Sequence, residues 1–581
     1  MIPRSGGSSA WPRARPIVLE SAGILLAIVV FWLARIRHVL LGDGLAVIER
    51  PPGTGGIHGF EPLTSLVQEG AFRLVRATAG SRTPEWQLIW TAVALVSIAA
   101  GALFVPVAWR LAREIEATGR ERVPASDPMD PAAARSRRWT ELLVLSILLS
   151  QGYMELFFGY VETYAPVVLA NGLVLLTGIR YARAEGSLLA AGAAIVLAVA
   201  FHFSAAALIP AWLLIALWGM VRAPDRARAR RDFALTLVLA AVLAAVLAVV
   251  RPGYSMPRSL WDVSLLAATG RQENAAYLLS WEHLRDFVNE QVLTGPLGFV
   301  AFLGGTVFAV VRGTWRRLEA GFAIVAGLGC TFACLRAGDS NLGYARNWDL
   351  LAPAGVIFIG SGLMLVRPLF DQARIWRQVL VLGAALSVFH TLPWVLVNAS
   401  ESRGVQWFET LPLGLGRTES TIGLWYAFRG RVDLAEHWLM RSLDRNPSNT
   451  RAHYFLGEIY LATGRPERAC LAFGYALKLR PEKDEYRLEL ARALALSGRW
   501  PEARAALQPI LEREPSRAAA WAFDGILLFG SGQLEGARAA IGRALALQPG
   551  DSLYARVLSE IQSRASVDRM LRDDGADLVQ R

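Results

Sequence analysis

Apolar stretches long enough to cross a lipid bilayer recur along most of the chain and stop near Asn398. About 20 apolar residues span the hydrocarbon core as a helix, which satisfies its own backbone polar groups there. We therefore predict about eleven transmembrane helices. They cover 17–36, 87–109, 140–158, 163–180, 186–201, 203–221, 233–250, 294–312, 319–336, 350–366 and 377–398. Helical repeats follow, so the sequence predicts an all-α protein in which a polytopic transmembrane helix bundle precedes an α-solenoid.

The composition fits a membrane protein and argues against nucleic-acid binding. Of the 581 residues, 54% are hydrophobic, which is too many for a soluble chain of this size. The net charge is +11, but the arginines lie between the apolar stretches and not in one basic domain. The first stretch follows Arg4, Arg13 and Arg15 and lacks a small-residue cleavage site. We interpret it as a retained span and not as a signal peptide.

The arginines also indicate which side each connection faces. Basic clusters occupy every second connection, as the positive-inside rule requires of a protein with a cytoplasmic N-terminus. They lie within 4–15, 110–138, 180–183, 222–231, 312–317 and 367–377. Arg35, Arg37 and Arg336 lie at outer ends without forming comparable clusters. An odd number of spans then predicts a multi-pass protein of the bacterial inner membrane with its repeats in the periplasm. The weakest spans, 186–201 and 203–221, are adjacent, so losing both as a re-entrant hairpin leaves this sidedness unchanged.

The chain after Asn398 repeats itself with a period of 34 residues. The recurring positions are Pro447, Pro481, Pro515 and Pro549; Gly430, Gly464, Gly498 and Gly532; Ala435, Ala469, Ala503 and Ala537; and Leu443, Leu477, Leu511 and Leu545. Glycine permits the turn between two helices, and proline ends the second helix. The pattern resembles the tetratricopeptide repeat. Four such repeats predict a short solenoid whose concave face binds a peptide or protein segment; the alternative is a rigid spacer.

These patterns divide the chain into five parts. Residues 1–16 form a cytoplasmic tail, 17–398 the membrane domain, 399–417 a linker, 418–564 the repeat domain and 565–581 a charged C-terminal tail. Residues 553–564 are predicted to form a final capping helix. We expect the charged end, 568–581, to fray because charged termini are poorly ordered unless something holds them.

Polar residues that could perform chemistry lie in the predicted outer connections. They are Asp43 and Glu61 in the first outer loop, Glu155, Tyr160 and Glu162 where the third and fourth spans meet, His202 after the fifth span, and Arg346 and Asp349 between the ninth and tenth spans. Acidic residues at membrane depth cost free energy unless they pair or face water, which favours a shared cavity. Solvated loops with an interfacial aromatic belt, including Tyr164, Trp281 and Trp394, are the alternative.

The order of these features resembles the GT-C class of integral membrane glycosyltransferases. The first span leads to an outer loop with an acidic residue, and the segments GYVETY (159–164) and GYARNWDLLAP (343–353) are similar to those of uncharacterised bacterial members. Outward repeats after the spans are similar to the architecture of the eukaryotic transmembrane and tetratricopeptide repeat O-mannosyltransferases. The resemblance implies transfer of a sugar from a polyprenyl-phosphate carrier to an acceptor outside the membrane.

The resemblance also implies roles for particular residues. The acidic residue of the first loop would be Asp43, as general base or as the group that orients the acceptor hydroxyl. Many members have two adjacent acidic residues here, whereas Asp43 is followed by Gly44, which weakens the case for a metal-dependent reaction. We predict catalytic roles for Asp43, Glu155 and Glu162, and substrate binding by Arg346, Asp349, His202, Tyr160 and Glu61.

Elementary chemistry supports these choices, because displacing a phosphate needs a base for the acceptor proton and a cation for the leaving group. Arg346 is the first candidate for the cation, although a local ion pair with Asp349 would equally explain it. Arg271 and Arg285 rank lower; Arg285 belongs to an amphipathic stretch, 281–293, that we expect along the membrane surface near a lipid carrier.

Other functions remain compatible with the sequence. A non-enzymatic scaffold would use the spans to anchor the repeats, and a ligase or polymerase of lipid-linked glycans could carry repeats as well. The three cysteines and the histidine spacing indicate no metal site, and whether a divalent metal is needed stays open. The predicted partners are the lipid bilayer, a lipid-linked sugar, and a protein or peptide on the repeats.

Overall fold

The computed structural model describes residues 11–40, 44–49, 61–80, 82–118, 131–250, 280–337, 348–411, 416–563, 567–572, 574 and 578. Regular structure in these ranges is entirely helical. The chain forms two compact units, Met1–Leu411 and Pro412–Arg581. The division falls between the apolar stretches and the repeats.

The membrane unit contains fifteen α-helices among its described residues. They are α1 (Trp11–Leu33), α2 (Gly44–Glu49), α3 (Pro62–Thr78), α4 (Glu85–Glu116), α5 (Pro131–Leu148), α6 (Ala165–Ala182), α7 (Leu188–Phe201), α8 (Ile209–Arg222), α9 (Arg226–Val250), α10 (Trp281–Thr294), α11 (Gly298–Val311), α12 (Leu318–Ala337), α13 (Trp348–Val366), α14 (Ala373–Asn398) and α15 (Glu401–Glu409). Short 3-10 helices cover Gly152–Phe157, Phe203–Leu208, Thr314–Arg316 and Arg367–Leu369.

Seven helical segments of the described chain are long and apolar enough to cross a membrane, and an eighth is added if α10 and α11 count as one bent span. The axes of α10 and α11 differ by 105°. Helix α7 has 14 residues and is about 21 Å long, which is short for a hydrocarbon core of about 30 Å. Every predicted span contains a helix, but the count of about eleven is not confirmed.

The third predicted span, 140–158, is wrong as a continuous helix. Helix α5 ends at Leu148, and the chain continues as the 3-10 helix Gly152–Phe157. A Cβ atom on Gly152 would lie 1.8 Å from the backbone oxygen of Leu293. This close approach of two backbones brings the end of α10 against the 3-10 helix and turns the chain away from the α5 axis.

Three long helices, α4, α6 and α13, pack against one another in the centre of the membrane unit. Helix α13 is buried over nearly its whole length, whereas α9 is largely exposed, with Val238, Val242 and Val249 on its surface. Exposed apolar side chains of this kind are expected on helices that face lipid. The bundle therefore has an inner layer of buried helices and an outer layer with apolar surfaces.

The C-terminal ends of α6 and α13 are each followed by an arginine that pairs with a glutamate of α4. Arg183 at the end of α6 donates to a carboxylate oxygen of Glu114 over 3.0 Å. After α13, Arg367 lies 3.5 Å from the buried Glu116 carboxylate, which also accepts a hydrogen bond from Trp376. Residues from three predicted inner connections thus meet at one end of the bundle.

The second unit begins with eight helices in four pairs. They are α16 (Arg417–Phe428), α17 (Val432–Arg445), α18 (Thr450–Ala462), α19 (Pro466–Leu479), α20 (Asp484–Leu496), α21 (Trp500–Arg513), α22 (Ala518–Gly530) and α23 (Leu534–Leu547). Within the pairs, Gly430, Gly464, Gly498 and Gly532 adopt left-handed φ angles of 68–80° at the turns. The two helices of a pair also need a small residue where they pack closely. A Cβ on Gly457 would lie 2.6 Å from the Phe473 ring.

Two further helices follow the repeats, α24 (Ser552–Ser563) and α25 (Val567–Arg572). The first matches the predicted capping helix. The second covers the beginning of the segment 568–581, which we expected to fray; residues 573, 575–577 and 579–581 lie outside the described residues. Met570, Leu571 and Leu578 are buried, and Arg556 of α24 donates to the Asp574 carboxylate over 2.9 Å. Apolar side chains in a charged segment hold this end against the repeats.

Candidate active site

The segment 158–164, between the 3-10 helix Gly152–Phe157 and α6, carries two of the predicted site residues, Tyr160 and Glu162. Its backbone turns at Gly159, whose φ is 70°. The carbonyl of Tyr160 accepts a hydrogen bond of 2.7 Å from Ser97 of α4, and that of Glu162 accepts one of 3.0 Å from Gln68 of α3. Two buried polar side chains therefore hold this segment at a fixed position.

Tyr160 joins the segment to α13. Its hydroxyl donates to a carboxylate oxygen of Asp349 over 3.0 Å, and the other oxygen accepts from the backbone N–H of Leu350 over 2.9 Å. The rings of Tyr160 and Trp348 meet edge to face at 5.2 Å. Glu290 of α10 is close enough to Asp349 for the two carboxylates to repel each other. Two acidic residues thus share this region with a tyrosine that orients one of them.

His202 and Glu61 form the second predicted pair that the structure brings together. The distance between His202 Nε2 and a Glu61 carboxylate oxygen is 3.6 Å. Since the N–H of Ser204 donates to His202 Nδ1 over 3.0 Å, the neutral ring carries its proton on Nε2, which faces Glu61. The ring of Tyr164 lies 5.0 Å away. The pair therefore lies beside the same segment, at the start of α6.

Glu155 belongs to a different network. The Asn398 amide donates to a Glu155 carboxylate oxygen over 2.7 Å, and the Asn398 side-chain oxygen lies 3.1 Å from His38 Nε2. The backbone N–H of Leu40 points at His38 Nδ1, so Nε2 carries the proton and donates to Asn398. His38 lies beyond the first predicted span, and burial lowers its pKa to about 4, against a smaller opposite effect of the Asn398 hydrogen bond. The imidazole is neutral at pH 7.

This network ties the chain that leads to Asp43 to two distant elements. The N–H of Ile36 donates to the Phe158 carbonyl over 2.8 Å, and the N–H of Arg37 donates to the Asn398 carbonyl over 2.9 Å. Glu155 and Asn398 are completely buried. The hydrogen bonds through Asn398 and His38 suit Glu155 to the positioning of residues 36–40.

Asp43 and Arg346 both lie outside the described residues. Gly44, which follows Asp43, packs closely on the segment 158–164: a Cβ on it would lie 3.2 Å from the Val161 carbonyl oxygen. Arg35 approaches the same segment, since its Cβ is 3.3 Å from the position of a Cβ on Gly159. Arg285, the lower-ranked arginine in the described chain, pairs instead with its neighbour Asp286.

Several polar residues of this region carry no obvious signal in the sequence. They are His38, Gln68, Ser97, Glu290 and Asn398. Glu290 had the strongest available signal, since it lies on an amphipathic helix, where the face it shares with Phe287 is buried. Asn398 ends the last predicted span, and a polar residue at that depth indicates a partner. Their partners are distant in sequence, so spacing does not reveal them.

Within the described part of the chain, no group of three or more His, Cys, Asp or Glu side chains could hold a metal ion. The chemistry available from the described residues is that of carboxylates, a neutral imidazole and tyrosine hydroxyls. These groups orient hydroxyls and accept protons.

Comparison with known proteins identifies the repeats. The tetratricopeptide repeat family matches residues 422–484 and 471–525. The chain is also 30% identical to human protein O-mannosyl-transferase TMTC1 over 140 residues, which are 24% of this chain and 15% of that protein. This chain therefore matches only a small part of that relative's length. The second unit carries tetratricopeptide repeats.

Solved structures give weaker matches to both parts. ArnT from Cupriavidus metallidurans bound to undecaprenyl phosphate is 16% identical, with a TM-score of 0.39, covering 87% of this chain and 80% of that one. MamA is 21% identical, with a TM-score of 0.23, covering 27% of this chain and 91% of that one. Similarity at this level carries no function from one protein to another, so we argue function from this chain's own residues.

Proposed function

We propose that this protein is a membrane glycosyltransferase of the GT-C type. It transfers a sugar from a polyprenyl-phosphate carrier to an acceptor on the periplasmic side of a bacterial inner membrane. The repeats bind the acceptor protein or a partner of the enzyme. The human relative is named for a sugar transfer of this general kind, which is consistent with the proposal but covers a small part of both chains.

The observation that supports the proposal most strongly is a set of buried acidic side chains on the segment 158–164 or linked to it by contacts. Glu162 lies on the segment, Asp349 accepts a hydrogen bond from Tyr160, Glu61 pairs with His202 beside Tyr164, and Glu290 lies on α10, which packs on α13. Glu61, Glu162, Glu290 and Asp349 are each at least 95% buried, although none of them lies in a basic cluster. Helices α6 and α13, of 18 and 19 residues, are each about 27 to 28 Å long. This group therefore lies about one hydrocarbon thickness from the arginine-rich end of the bundle.

The proposed reaction is a displacement at the anomeric carbon of the sugar. The acceptor hydroxyl oxygen attacks that carbon while a carboxylate takes the hydroxyl proton. The bond between the anomeric carbon and the phosphate oxygen breaks, and polyprenyl phosphate leaves with the bonding electrons. We assign the proton to Asp43, which precedes Gly44 at the Val161 carbonyl, with Glu162 as the second carboxylate of the site.

The remaining residues bind and orient. Asp349, held by Tyr160, and His202, paired with Glu61, are placed to bind sugar or acceptor hydroxyls. Arg346 retains the proposed role of binding the leaving phosphate. We assign Glu155 to the positioning of residues 36–40 through Asn398 and His38, in place of the catalytic role that the sequence suggested.

A deletion strain tests the proposal. Mass spectrometry should show one class of glycoconjugate missing from the strain, and plasmid-borne wild-type protein should restore it. Asp43→Ala should fail to restore it while reaching the membrane at normal levels. Glu282→Gln, which changes an exposed carboxylate on α10, serves as the control and should restore it fully.

Two results would contradict the proposal in different ways, and a third would favour another class of enzyme. Full restoration by Asp43→Ala would remove Asp43 from the reaction. An unchanged glycan and glycoprotein profile in the deletion strain would instead support the scaffold, in which the spans only anchor the repeats. Loss of long lipid-linked glycans without loss of glycoproteins would favour the ligase or polymerase.

A further inference from the structure

The described residues of the C-terminal segment 567–578 fit one face of a helix. Val567, Met570, Leu571, Asp574 and Leu578 stand at positions i, i+3, i+4, i+7 and i+11, and helical backbone is present at 567–572 and again at Asp574 and Leu578. Val567 is half-buried, the other four side chains are buried, and Arg572 is exposed. A segment with this pattern needs an apolar surface to cover its inner face.

The surface it covers belongs to the third and fourth repeats. Helix α25 packs against α20 and α22, which are the first helices of those two repeats. It therefore crosses from one repeat to the next on the side where the first helices lie. Arg556 of α24 donates to Asp574, which ties this end of the chain to α24 as well.

Burial at equivalent positions of the first helices varies along the repeats. Three positions, each 34 residues from its counterpart in the next repeat, are half-buried in the second repeat and buried in the third and fourth. They are Tyr454, Leu488 and Ala522; Phe455, Glu489 and Phe523; and Glu458, Arg492 and Ile526. The equivalent residues of the first repeat, Ser420, Thr421 and Leu424, are buried as well. The surface that α25 covers is therefore identified by its packing on α20 and α22, and not by burial alone.

We propose that this face of the third and fourth repeats is a docking site for a short amphipathic helix, and that the chain's own C-terminal segment occupies it. A protein partner of the repeats then presents a helix of the same kind, with apolar residues at i, i+3, i+4 and i+11 and an acid at i+7. It binds by displacing residues 567–578. This inference concerns the repeats alone and holds whether or not the membrane unit transfers sugar.

A peptide of residues 565–581 added in trans tests the proposal. The full-length protein in nanodiscs is compared with a chain ending at Arg564, using fluorescence anisotropy of the labelled peptide. The shortened chain should bind it saturably, and the full-length chain should bind it at least about tenfold more weakly because its own segment competes. A peptide with Met570→Ala and Leu571→Ala should lose about tenfold in affinity or more.

Controls separate docking from general effects. Leu547→Ala in the shortened chain is one control. Leu547 is 39% exposed on α23, outside the proposed docking face, whereas Leu571 of the docked segment is 1% exposed. This variant should therefore bind the peptide normally. A scrambled peptide should not bind. Equal binding of the peptide to both chains, or no binding to a shortened chain whose first two repeats keep normal hydrogen exchange, would overturn the proposal.

A second variant covers the case in which the shortened chain misfolds. Leu571→Glu in the full-length protein places a charge in the buried face while leaving α24 intact. Hydrogen exchange should accelerate in α20 and α22 and stay unchanged in α18, which α25 does not cover. Uniform acceleration through all four repeats would show that the segment supports the whole solenoid and does not occupy a separate docking site.

Discussion

Single residues determine the shape of the site through contacts across very long sequence separations. His38 and Asn398 lie 360 positions apart, and their hydrogen bond links the approach to Asp43 with the end of α14. The position of the chain that leads to Asp43 also depends on the absence of a side chain at Gly404 of α15, because a Cβ there would lie 2.2 Å from the His38 ring. A glycine is required at that position for packing, and no turn is involved.

We expect Gly404→Ala to destabilise the membrane unit. The new methyl group forces the His38 ring away and disturbs its hydrogen bond to Asn398, at a cost of about 1–3 kcal/mol. Heating the purified protein in detergent and measuring the fraction that stays soluble should show a lower midpoint temperature. If sugar transfer is established, its rate should fall too, because residues 36–40 lead to Asp43.

Gly304→Ala is the matched control for this change. Gly304 also lies within a helix, α11, but a Cβ there would meet no atom within 4 Å. Alanine has a better helix propensity than glycine by up to about 1 kcal/mol, so the midpoint should stay the same or rise slightly. A fall as large as that of Gly404→Ala would mean that contact with His38 is not the cause.

At the scale of elements, glycine occurs in the repeats with two kinds of backbone, left-handed at the turns and helical within a helix. Gly498 makes the turn between α20 and α21 with a φ of 73°. Gly474 lies inside α19 with ordinary helical backbone. A Cβ at either position would meet no atom within 4 Å, so only backbone preference separates them.

Alanine at these two positions should therefore have opposite effects. Gly498→Ala forces a left-handed φ on a residue with a side chain and should destabilise the third repeat by about 1–2 kcal/mol. Gly474→Ala should stabilise the second repeat by up to about 1 kcal/mol. Hydrogen exchange under native conditions, followed separately for 450–479 and 484–513, measures both local stabilities. Destabilisation by both variants would show that packing, and not φ, controls these positions.

At the scale of the whole molecule, sidedness connects the candidate site with the repeats. The predicted inner connections contribute Glu114, Glu116, Arg183 and Arg367 to one end of the bundle, opposite the segment 158–164. The alternation of arginines predicts that this end is cytoplasmic and that the repeats face the periplasm. The number of spans decides the second part, and seven or eight candidate spans in the described chain leave it a prediction.

Single cysteines measure the sidedness directly. Thr78→Cys on α3 and Ser516→Cys in the repeats should react with a membrane-impermeant maleimide in intact spheroplasts, whereas Ala227→Cys on α9 should react only after permeabilisation. All three positions are exposed, and the native cysteines Cys330, Cys334 and Cys470 are buried. If Ser516→Cys, like Ala227→Cys, reacts only after permeabilisation, the repeats are cytoplasmic and cannot serve a periplasmic site.

Local patterns in the chain were enough to predict where its helical segments and its repeats lie. Apolar length and a 34-residue period express requirements that each segment meets by itself or with its nearest neighbours: satisfied backbone groups in lipid, and close packing of paired helices. The site residues Glu61, Tyr160, Glu162, His202 and Asp349 came instead from polar motifs between the apolar stretches, and their roles stay predictions.

Contacts between distant segments could not be read from such patterns. Glu155 and Glu162 looked equivalent in the sequence, but a hydrogen bond joins Glu155 to Asn398, and Glu290 lies among the buried acidic residues on a helix with no active-site motif. Helix Val567–Arg572 of the charged tail packs on the repeats, although we expected that part of the chain to fray. A partner hundreds of residues away leaves no periodic trace, because its position is decided by how whole helices pack.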